Sequence, residues 1–259
     1  MLVTGGNLLF ERDQLAPGSE AAATIAAKGV LRACQKMGVA FAGVGVRDLA
    51  AGSALLKASH QPPAFTWLSL NLVDPATRQP LFAPMIQRRV GATTIAVLAL
   101  TDHTALAGGT GEFLALDWRA ALPPVLAKAE QEADFILLLS NYSYSENLEI
   151  AKAHGSIDLI LQTGHVAGNM RPLPIYRSLL TQTDVRGKYV GILDIDWHGR
   201  NGWSEEGEPV RGRNAKGPVS TYANRFIALS QSLPVAPEIE TLVRQTQQQI
   251  ERLRQGQAP

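Results

Sequence analysis

The six residues Phe135–Ser140 form an apolar run that ends in a serine, and this run constrains the fold more than any other segment. Such a run is typical of a strand buried on both faces of a sheet. Thr93–Leu100 and residues 157–163 have the same character, and helical patterns over residues 118–132 and 145–154 separate the three runs. Strands alternate with helices in this part of the chain, and strand pairs occur elsewhere. This order of elements predicts an α/β protein. A sandwich of two mixed sheets with outer helices and a single large sheet both fit it.

The composition excludes several classes of protein. The apolar runs are strand-sized, far short of the ~20 residues that a bilayer-spanning helix needs, so we predict no membrane span. The 24 basic and 23 acidic residues give a net charge of +1, which provides no electrostatic basis for binding nucleic acid or an anionic membrane. Cys34 is the only cysteine, so an intrachain disulfide and a thiolate zinc cluster are excluded. The first residues show no signal-peptide pattern.

Polar residues follow four of the predicted strands directly. In α/β proteins, ligands bind at the carboxyl ends of the strands, so these positions are the natural candidates for a functional site. The four positions are Gly5-Gly6-Asn7, Gly45-Val46-Arg47-Asp48, Ser140-Asn141-Tyr142 and Thr163-Gly164-His165.

The last third of the chain predicts a different set of elements. Residues 176–180 and 188–196 indicate an antiparallel strand pair, and the polar, glycine-rich residues 197–218 indicate an exposed loop. Two helices are expected after it, over residues 219–232 and 238–254. The second has an apolar stripe between glutamine-rich faces, typical of a helix that packs on one side. That stripe could dock on this domain or on an unknown protein partner.

Several segments of the chain resemble the calcineurin-like metallophosphoesterase fold, in particular the catalytic domain of bacterial periplasmic 5′-nucleotidases and UDP-sugar hydrolases. The resemblance implies a four-layer αββα sandwich of two mixed sheets, whose first strand would precede Met1. It suggests a metallophosphoesterase-like domain over residues 1–197, an exposed loop over 198–218 and C-terminal helices over 219–259, in the same domain or a linker. The segments that carry the resemblance are residues 65–71, 79–84, 95–102, 135–141, 157–161 and 187–191.

Enzymes of this family hold two divalent metals, which activate a water molecule and neutralise the phosphoryl oxygens. Their ligands come from an Asp-x-His, a Gly-Asp turn, a Gly-Asn-His-Glu/Asp turn, a strand-end histidine and a Gly-His-x-His. By the resemblance, the Asp-x-His would precede Met1 and the bridging aspartate falls on Asn7. The Asn-His pair falls on Val46 and Arg47, and the acidic residue of that turn is Asp48.

The two later motifs are also substituted. The strand-end histidine falls on Asn141, and the first histidine of the last motif falls on Gly164, or on His165 if one residue is inserted. Amides offer no charge, valine offers no lone pair, and the arginine guanidinium is a permanent cation without an acceptor. We therefore predict that the dimetal centre is lost and that no cofactor is bound. Asp48 and His165 are the remaining metal candidates.

Three functions follow from these residues. The first is a non-catalytic binding or scaffold module, periplasmic or exported by resemblance alone. The alternative is an active metal-dependent phosphoesterase that hydrolyses a nucleotide or sugar-nucleotide phosphoester. It would use two divalent metals such as Mn or Zn, with Asn7, Asp48, Asn141 and His165 as ligands. Whether the chain is an enzyme stays open between these two.

A third hypothesis is metal-free catalysis by Asp102, His103 or His165, although no nucleophile and base stand at a recognisable spacing. Structural roles explain several of these residues equally well. Asp48 could be a first-turn carboxylate favoured by the helix dipole, with Arg47 beside it as an ion-pair partner. The glycine-rich segment 108–111 is too short for a Walker loop and lacks its lysine.

Overall fold

The computed structural model describes residues 1–62, 64–106, 111–163, 168–208 and 217–256. The α-helices are α1 (Glu20–Lys36), α2 (Ala54–Ser59), α3 (Trp118–Glu132), α4 (Tyr144–Ala153) and α5 (Pro237–Arg254); Val46–Leu49 and Thr104–Leu106 are short 3-10 helices. The strands are β1 (Phe41–Gly43), β2 (Thr66–Leu68), β3 (Leu72–Val73), β4 (Met85–Val90), β5 (Thr93–Leu100), β6 (Leu114–Ala115), β7 (Phe135–Ser140), β8 (Leu159–Gln162), β9 (Met170–Ile175), β10 (Ser178–Gln182), β11 (Tyr189–Asp196), β12 (Trp203–Glu205) and β13 (Ser220–Ala228).

The largest sheet has six strands in the order β4-β5-β7-β8-β10-β9. Its four central strands are parallel, and the two edge strands β4 and β9 are antiparallel to their neighbours. The parallel strands β5 and β7 are the continuously apolar runs of the sequence, which matches burial on both faces. A crossover helix connects each of the pairs β5–β7 and β7–β8, as parallel neighbours require.

The two faces of this sheet bury different side chains. On β7, Ile136 and Leu138 pack with residues of α3 and α4, whereas Leu137 and Leu139 point to the other face. That second face contacts the smaller sheet through residues such as Leu68 of β2. Alternation along one strand therefore supplies two hydrophobic cores, one under the helices and one between the sheets.

The smaller sheet pairs β1 with β2 in parallel, and Thr4 makes a parallel bridge to Ala42 on its open side. Its outer face packs on α1 and α2, with Trp67 and Leu56 fully buried there. The layers are thus helices, small sheet, large sheet and helices. This confirms the four-layer αββα sandwich of mixed sheets predicted from the sequence.

Helix α5 packs against α1 of the same chain. Leu242 is buried in this contact, and a Cβ added to Gly29 of α1 would lie 2.7 Å from Oγ1 and Cγ2 of Thr246. The absence of a side chain at Gly29 therefore allows the two helices to approach this closely. The apolar stripe predicted for α5 docks on its own domain, and a protein partner for this helix stays a prediction. In the described ranges, no helix is long and apolar enough to cross a membrane.

The three-stranded sheet β11-β13-β12 is fixed to the amino-terminal end of the large sheet. Asp158, just before β8, is buried and receives two hydrogen bonds of 3.0 Å from Arg200. The rings of Trp197 and Trp203 pack edge-on against Phe135, the first residue of β7. An ion pair to the buried Asp158 carboxylate and an aromatic cluster thus hold this sheet in place.

Three expectations for the last third of the chain are wrong. Residues 219–232 are not helical: they contain β13, which pairs with β11 on one side and β12 on the other. Residues 176–180 and 188–196 do not pair with each other, because β10 pairs with β8 and β9. The interval 198–218 contains β12 and the anchored Arg200, so it is not wholly an exposed loop; residues 209–216 lie outside the described part.

Candidate functional site

The carboxyl ends of β1 and β7 lie close together, and the polar residues predicted to follow these strands meet there. Asn141 follows β7, and its Oδ1 accepts a hydrogen bond of 3.1 Å from the backbone N–H of Val46, which follows β1. Its Nδ2 donates to the carbonyl oxygen of Thr163 at 3.0 Å, at the end of β8. The Thr163 hydroxyl in turn donates to the carbonyl of Gly5 at 2.9 Å. Four chain segments distant in sequence are therefore joined at one edge of the sandwich.

Asp48 is the centre of this junction and is fully buried. Its Oδ1 accepts hydrogen bonds from the backbone N–H groups of Leu8 and Leu9, at 2.7 and 2.8 Å. Its Oδ2 accepts from those of Asn7 and Gly45, at 2.7 and 2.9 Å. A carboxylate has about four lone-pair positions, so these four donors use its accepting capacity. Asp48 therefore ties the amino-terminal loop to the turn after β1.

Burial raises the pKa of Asp48 to about 6, while the four amide donors oppose that rise by favouring the charged form. The group is therefore ionised at neutral pH. Its charge is compensated by backbone dipoles, in the manner of an anion bound in a nest of N–H groups.

The backbone of the amino-terminal loop is shaped for this contact. Gly6 and Asn7 both have positive φ, 110° and 55°, which turns successive N–H groups toward the carboxylate. A Cβ on Gly6 would lie 2.6 Å from the nitrogen of Gly45. A Cβ on Gly45 would overlap Asn7, so the two loops meet only because neither glycine has a side chain.

Arg47 and Asp48 do not form the ion pair that their adjacency suggests. Within the described ranges, every hydrogen bond to Asp48 comes from a backbone N–H group, and Arg47 has no ion pair. The Arg47 backbone N–H donates instead to Oδ1 of Asn7 at 2.9 Å. The expectation of an Arg47–Asp48 ion pair is therefore wrong.

Two of the predicted positions, Gly164 and His165, lie outside the described residues, as does most of the glycine-rich segment 107–111. The other five, Asn7, Val46, Arg47, Asp48 and Asn141, are brought together. The sequence did not single out Thr163 as a link between strands. Its position directly after a buried strand was the only signal available.

Two residues of the metal-free hypothesis, Asp102 and His103, occupy a neighbouring position after β5. Asp102 is buried and accepts hydrogen bonds from the backbone N–H and hydroxyl of Thr104, at 2.9 and 2.7 Å. His103 Nδ1 lies 2.7 Å from the hydroxyl of Tyr142, and its Nε2 lies 3.9 Å from Asp117. Burial raises the pKa of Tyr142, so its hydroxyl stays protonated. These contacts hold the loop after β5 against the loop after β7.

This chain has the calcineurin-like metallophosphoesterase fold. Three solved structures share it at low identity. SoxB, a sulfate thiohydrolase of Thermus thermophilus, is 21% identical with a TM-score of 0.75 over 94% of this chain and 42% of its own. The calcineurin-like phosphoesterase YfkN of Bacillus subtilis is 13% identical with a TM-score of 0.73, over 98% of this chain and 85% of its own.

A 5′-nucleotidase precursor of Thermus thermophilus is 17% identical, with a TM-score of 0.68 over 88% of this chain and 47% of its own. The chain thus spans less than half the length of SoxB and of this nucleotidase. No protein-family model and no curated protein matches the chain. The structural neighbours are phosphoesterase and nucleotidase domains, and what they share with this chain is the fold.

The fold family implies two divalent metals, and the side chains at the positions that the sequence resemblance assigns to the metal ligands do not fit them. Both Asp48 oxygens accept backbone N–H groups, and Oδ1 of Asn7 and of Asn141 each accept one more. The four donors fill the lone-pair positions of Asp48, and the amide oxygens of Asn7 and Asn141 carry no charge, so this set offers no free anionic oxygen to a hard cation. Within the described ranges, no three His, Cys, Asp or Glu residues are grouped as metal ligands would be.

Proposed function

We propose that this chain is a metallophosphoesterase-fold domain in which a hydrogen-bonded loop junction has taken the place of the dimetal centre. It acts as a non-catalytic binding or scaffold module. The observation that carries this proposal is the set of four backbone donors on Asp48. A metal at this carboxylate would have to displace N–H groups that have no other acceptor in the junction, at a cost of about 1–3 kcal/mol for each.

Electrostatics support the same proposal. By the sequence resemblance, the positions of the bridging aspartate, the turn histidine and the strand-end histidine fall on Asn7, Arg47 and Asn141. A pair of dications at close range needs an anionic bridge, and the permanent guanidinium charge of Arg47 would repel both. We further propose a periplasmic or exported location, which rests on the resemblance to 5′-nucleotidases alone.

The competing function is an active metal-dependent phosphoesterase, and an activity assay separates the two. The purified chain is incubated with Mn²⁺, Co²⁺, Zn²⁺ or Mg²⁺ and assayed with p-nitrophenyl phosphate, AMP and UDP-glucose. The Thermus thermophilus 5′-nucleotidase serves as the positive control. We expect no turnover above that of metal and buffer alone. Turnover that disappears with EDTA and in the variant Asp48→Asn would overturn the proposal.

A further inference from the structure

A groove lies between α1 and α5 in the outer helical layer. The two helices meet where Gly29 faces Thr246, and the groove beside this contact has a volume of about 580 Å³. A volume of this size falls within the ~300–1,000 Å³ that small-molecule sites commonly have. None of the residues of the strand-end junction lines it, so the groove is a separate feature of the surface.

The half-buried part of the groove is largely apolar. Ile25 of α1 and Leu253 of α5 contribute aliphatic side chains, and the half-buried Thr24 and Thr246 also line it. The Thr246 hydroxyl donates to the carbonyl of Leu242 at 2.8 Å, so it is already satisfied within α5. The half-buried lining can therefore cover a hydrocarbon chain from water.

The α1 side of the groove carries two positive charges. Lys28 and Arg32 are exposed, line the groove and lie one turn apart on the helix. Within the described ranges, which include all 23 acidic residues, neither side chain has a hydrogen bond or an ion pair. Like charges at i and i+4 repel each other on a helix, so the two cations favour an anion beside them.

The other lining residues do not neutralise these cations. Among the described residues of the groove, Glu20 is the only acidic one, and on α1 it lies about 12 Å along the helix axis from Lys28. Helix α5 contributes only uncharged side chains to the groove, those of Thr246, Gln249 and Leu253. The groove is therefore positive at one end and apolar along its half-buried lining.

We propose that this groove binds an amphiphilic carboxylate, a molecule with one anionic head and a single hydrocarbon chain. The head lies at Lys28 and Arg32, and the chain lies along Ile25 and Leu253. The guanidinium can donate two parallel hydrogen bonds to a carboxylate, and the ammonium adds a further charge-assisted donor. The site is independent of the proposed loss of the dimetal centre, because none of its residues belongs to the strand-end junction.

The site is tested by NMR titration of the full chain at about pH 8, where a carboxylate head is ionised. The probes are sodium decanoate, sodium octanoate and octan-1-ol, below the concentrations at which they form micelles or separate. We expect saturable shifts of the backbone amides around Lys28 and Leu253. Decanoate should bind about threefold or more tighter than octanoate, because two further methylene groups leave water. Octanol should bind about threefold or more weaker than octanoate, because it carries no charge.

Lys28→Gln and Arg32→Gln are each expected to weaken decanoate binding by about threefold, and the double variant by about tenfold, as loss of exposed charge pairs predicts. Lys36→Gln and Arg244→Gln are the matched controls. Both residues are exposed and lie on the same two helices, but neither lines the groove. The control variants should bind decanoate within about twofold of the wild type. Glutamine is a good helix former, and a dispersed spectrum establishes that each variant folds.

Saturable binding that depends on the charge, on the chain length and on both cations supports the proposal. No saturable binding of decanoate, equal binding of octanol and octanoate, or equal weakening by Lys28→Gln and Lys36→Gln would overturn it. The proposed function is tested separately by turnover and metal uptake, so either proposal can fail while the other holds.

Discussion

The Oδ2 atom of Asp48 accepts the backbone N–H of Asn7 at 2.7 Å, across 41 positions of sequence. This contact joins the amino-terminal loop to the turn after the first strand of the small sheet. It also uses an acidic side chain that, by sequence resemblance, would belong to a metal-binding turn. The same carboxylate therefore serves loop assembly here, and the consequence for stability can be measured.

Asp48→Asn is expected to lower the free energy of unfolding by about 3 kcal/mol or more. The amide NH₂ would replace one oxygen and face two N–H donors, leaving both unsatisfied at about 1–3 kcal/mol each. Urea denaturation at about pH 8, where the wild-type carboxyl is ionised, measures the loss. Asp13→Asn, at an exposed position, is the control and should change stability by less than about 0.5 kcal/mol. Equal small effects for both variants would contradict the role of Asp48.

The contact between α1 and α5 predicts a coupled pair of substitutions. Gly29→Ala should destabilise the domain by about 1–3 kcal/mol, because the new methyl group meets Thr246. The loss should be smaller when Thr246→Ala has first removed Oγ1 and Cγ2. A double-mutant cycle by denaturation gives this coupling directly. Additive effects would show that α5 does not pack on α1 in solution.

Arg200 is expected to be essential for holding the three-stranded sheet. Arg200→Met leaves the buried Asp158 carboxylate without its partner, which should cost about 3–5 kcal/mol. The matched control is Arg225→Met, which breaks the exposed pair with Asp194 and should cost less than about 1 kcal/mol. Thermal denaturation of the two variants provides the comparison. Similar losses for both would contradict the anchoring role.

His154 predicts a loss of stability on acidification. Burial against the ring of Trp118 lowers its pKa below the ordinary value of 6.5, with Glu130 opposing the shift. The unfolded state then binds the proton more tightly than the folded state does. The contribution of neutral His154 to the free energy of unfolding is therefore present above the unfolded-state pKa and is lost as the pH falls through the folded-state pKa. NMR titration should place the His154 pKa below that of a model peptide, and His154→Gln should lessen the decline in stability between about pH 7 and pH 5. A His154 pKa at or above 6.5 would contradict this.

The local sequence pattern was sufficient to predict the elements that have a clear apolar run or a clear helix cap. The central strands β5 and β7 are apolar on both faces. The helix between them begins after the N-cap residue Asp117, whose side chain accepts a hydrogen bond from the backbone N–H of Arg119. Strand β13 lies where a helix was expected, and its residues Tyr222 and Phe226 are four positions apart, a spacing that also fits a helix. Its actual partners, β11 and β12, are set by long-range pairing that no local window contains.

The sequence predicted which polar residues meet at one edge of the sheets, but not the contacts between them. Polar residues after strands correctly located Asn7, Asp48 and Asn141 at one edge, since parallel strands bring their carboxyl ends together. Which atoms accept from which donors depends on backbone N–H groups about 40 residues away. Such donors are invisible in a sequence, because every residue but proline carries one. The adjacency of Arg47 and Asp48 therefore suggested an ion pair that the structure does not contain.

The most direct test of the central proposal is the metal content of the purified chain. The protein is incubated with excess Mn²⁺ or Zn²⁺, separated from free metal by gel filtration and measured by elemental analysis. We expect a metal content close to zero, equal in the wild type and in Asp48→Asn. Two metals per chain in the wild type, as a dinuclear centre requires, and their loss in Asp48→Asn would contradict it.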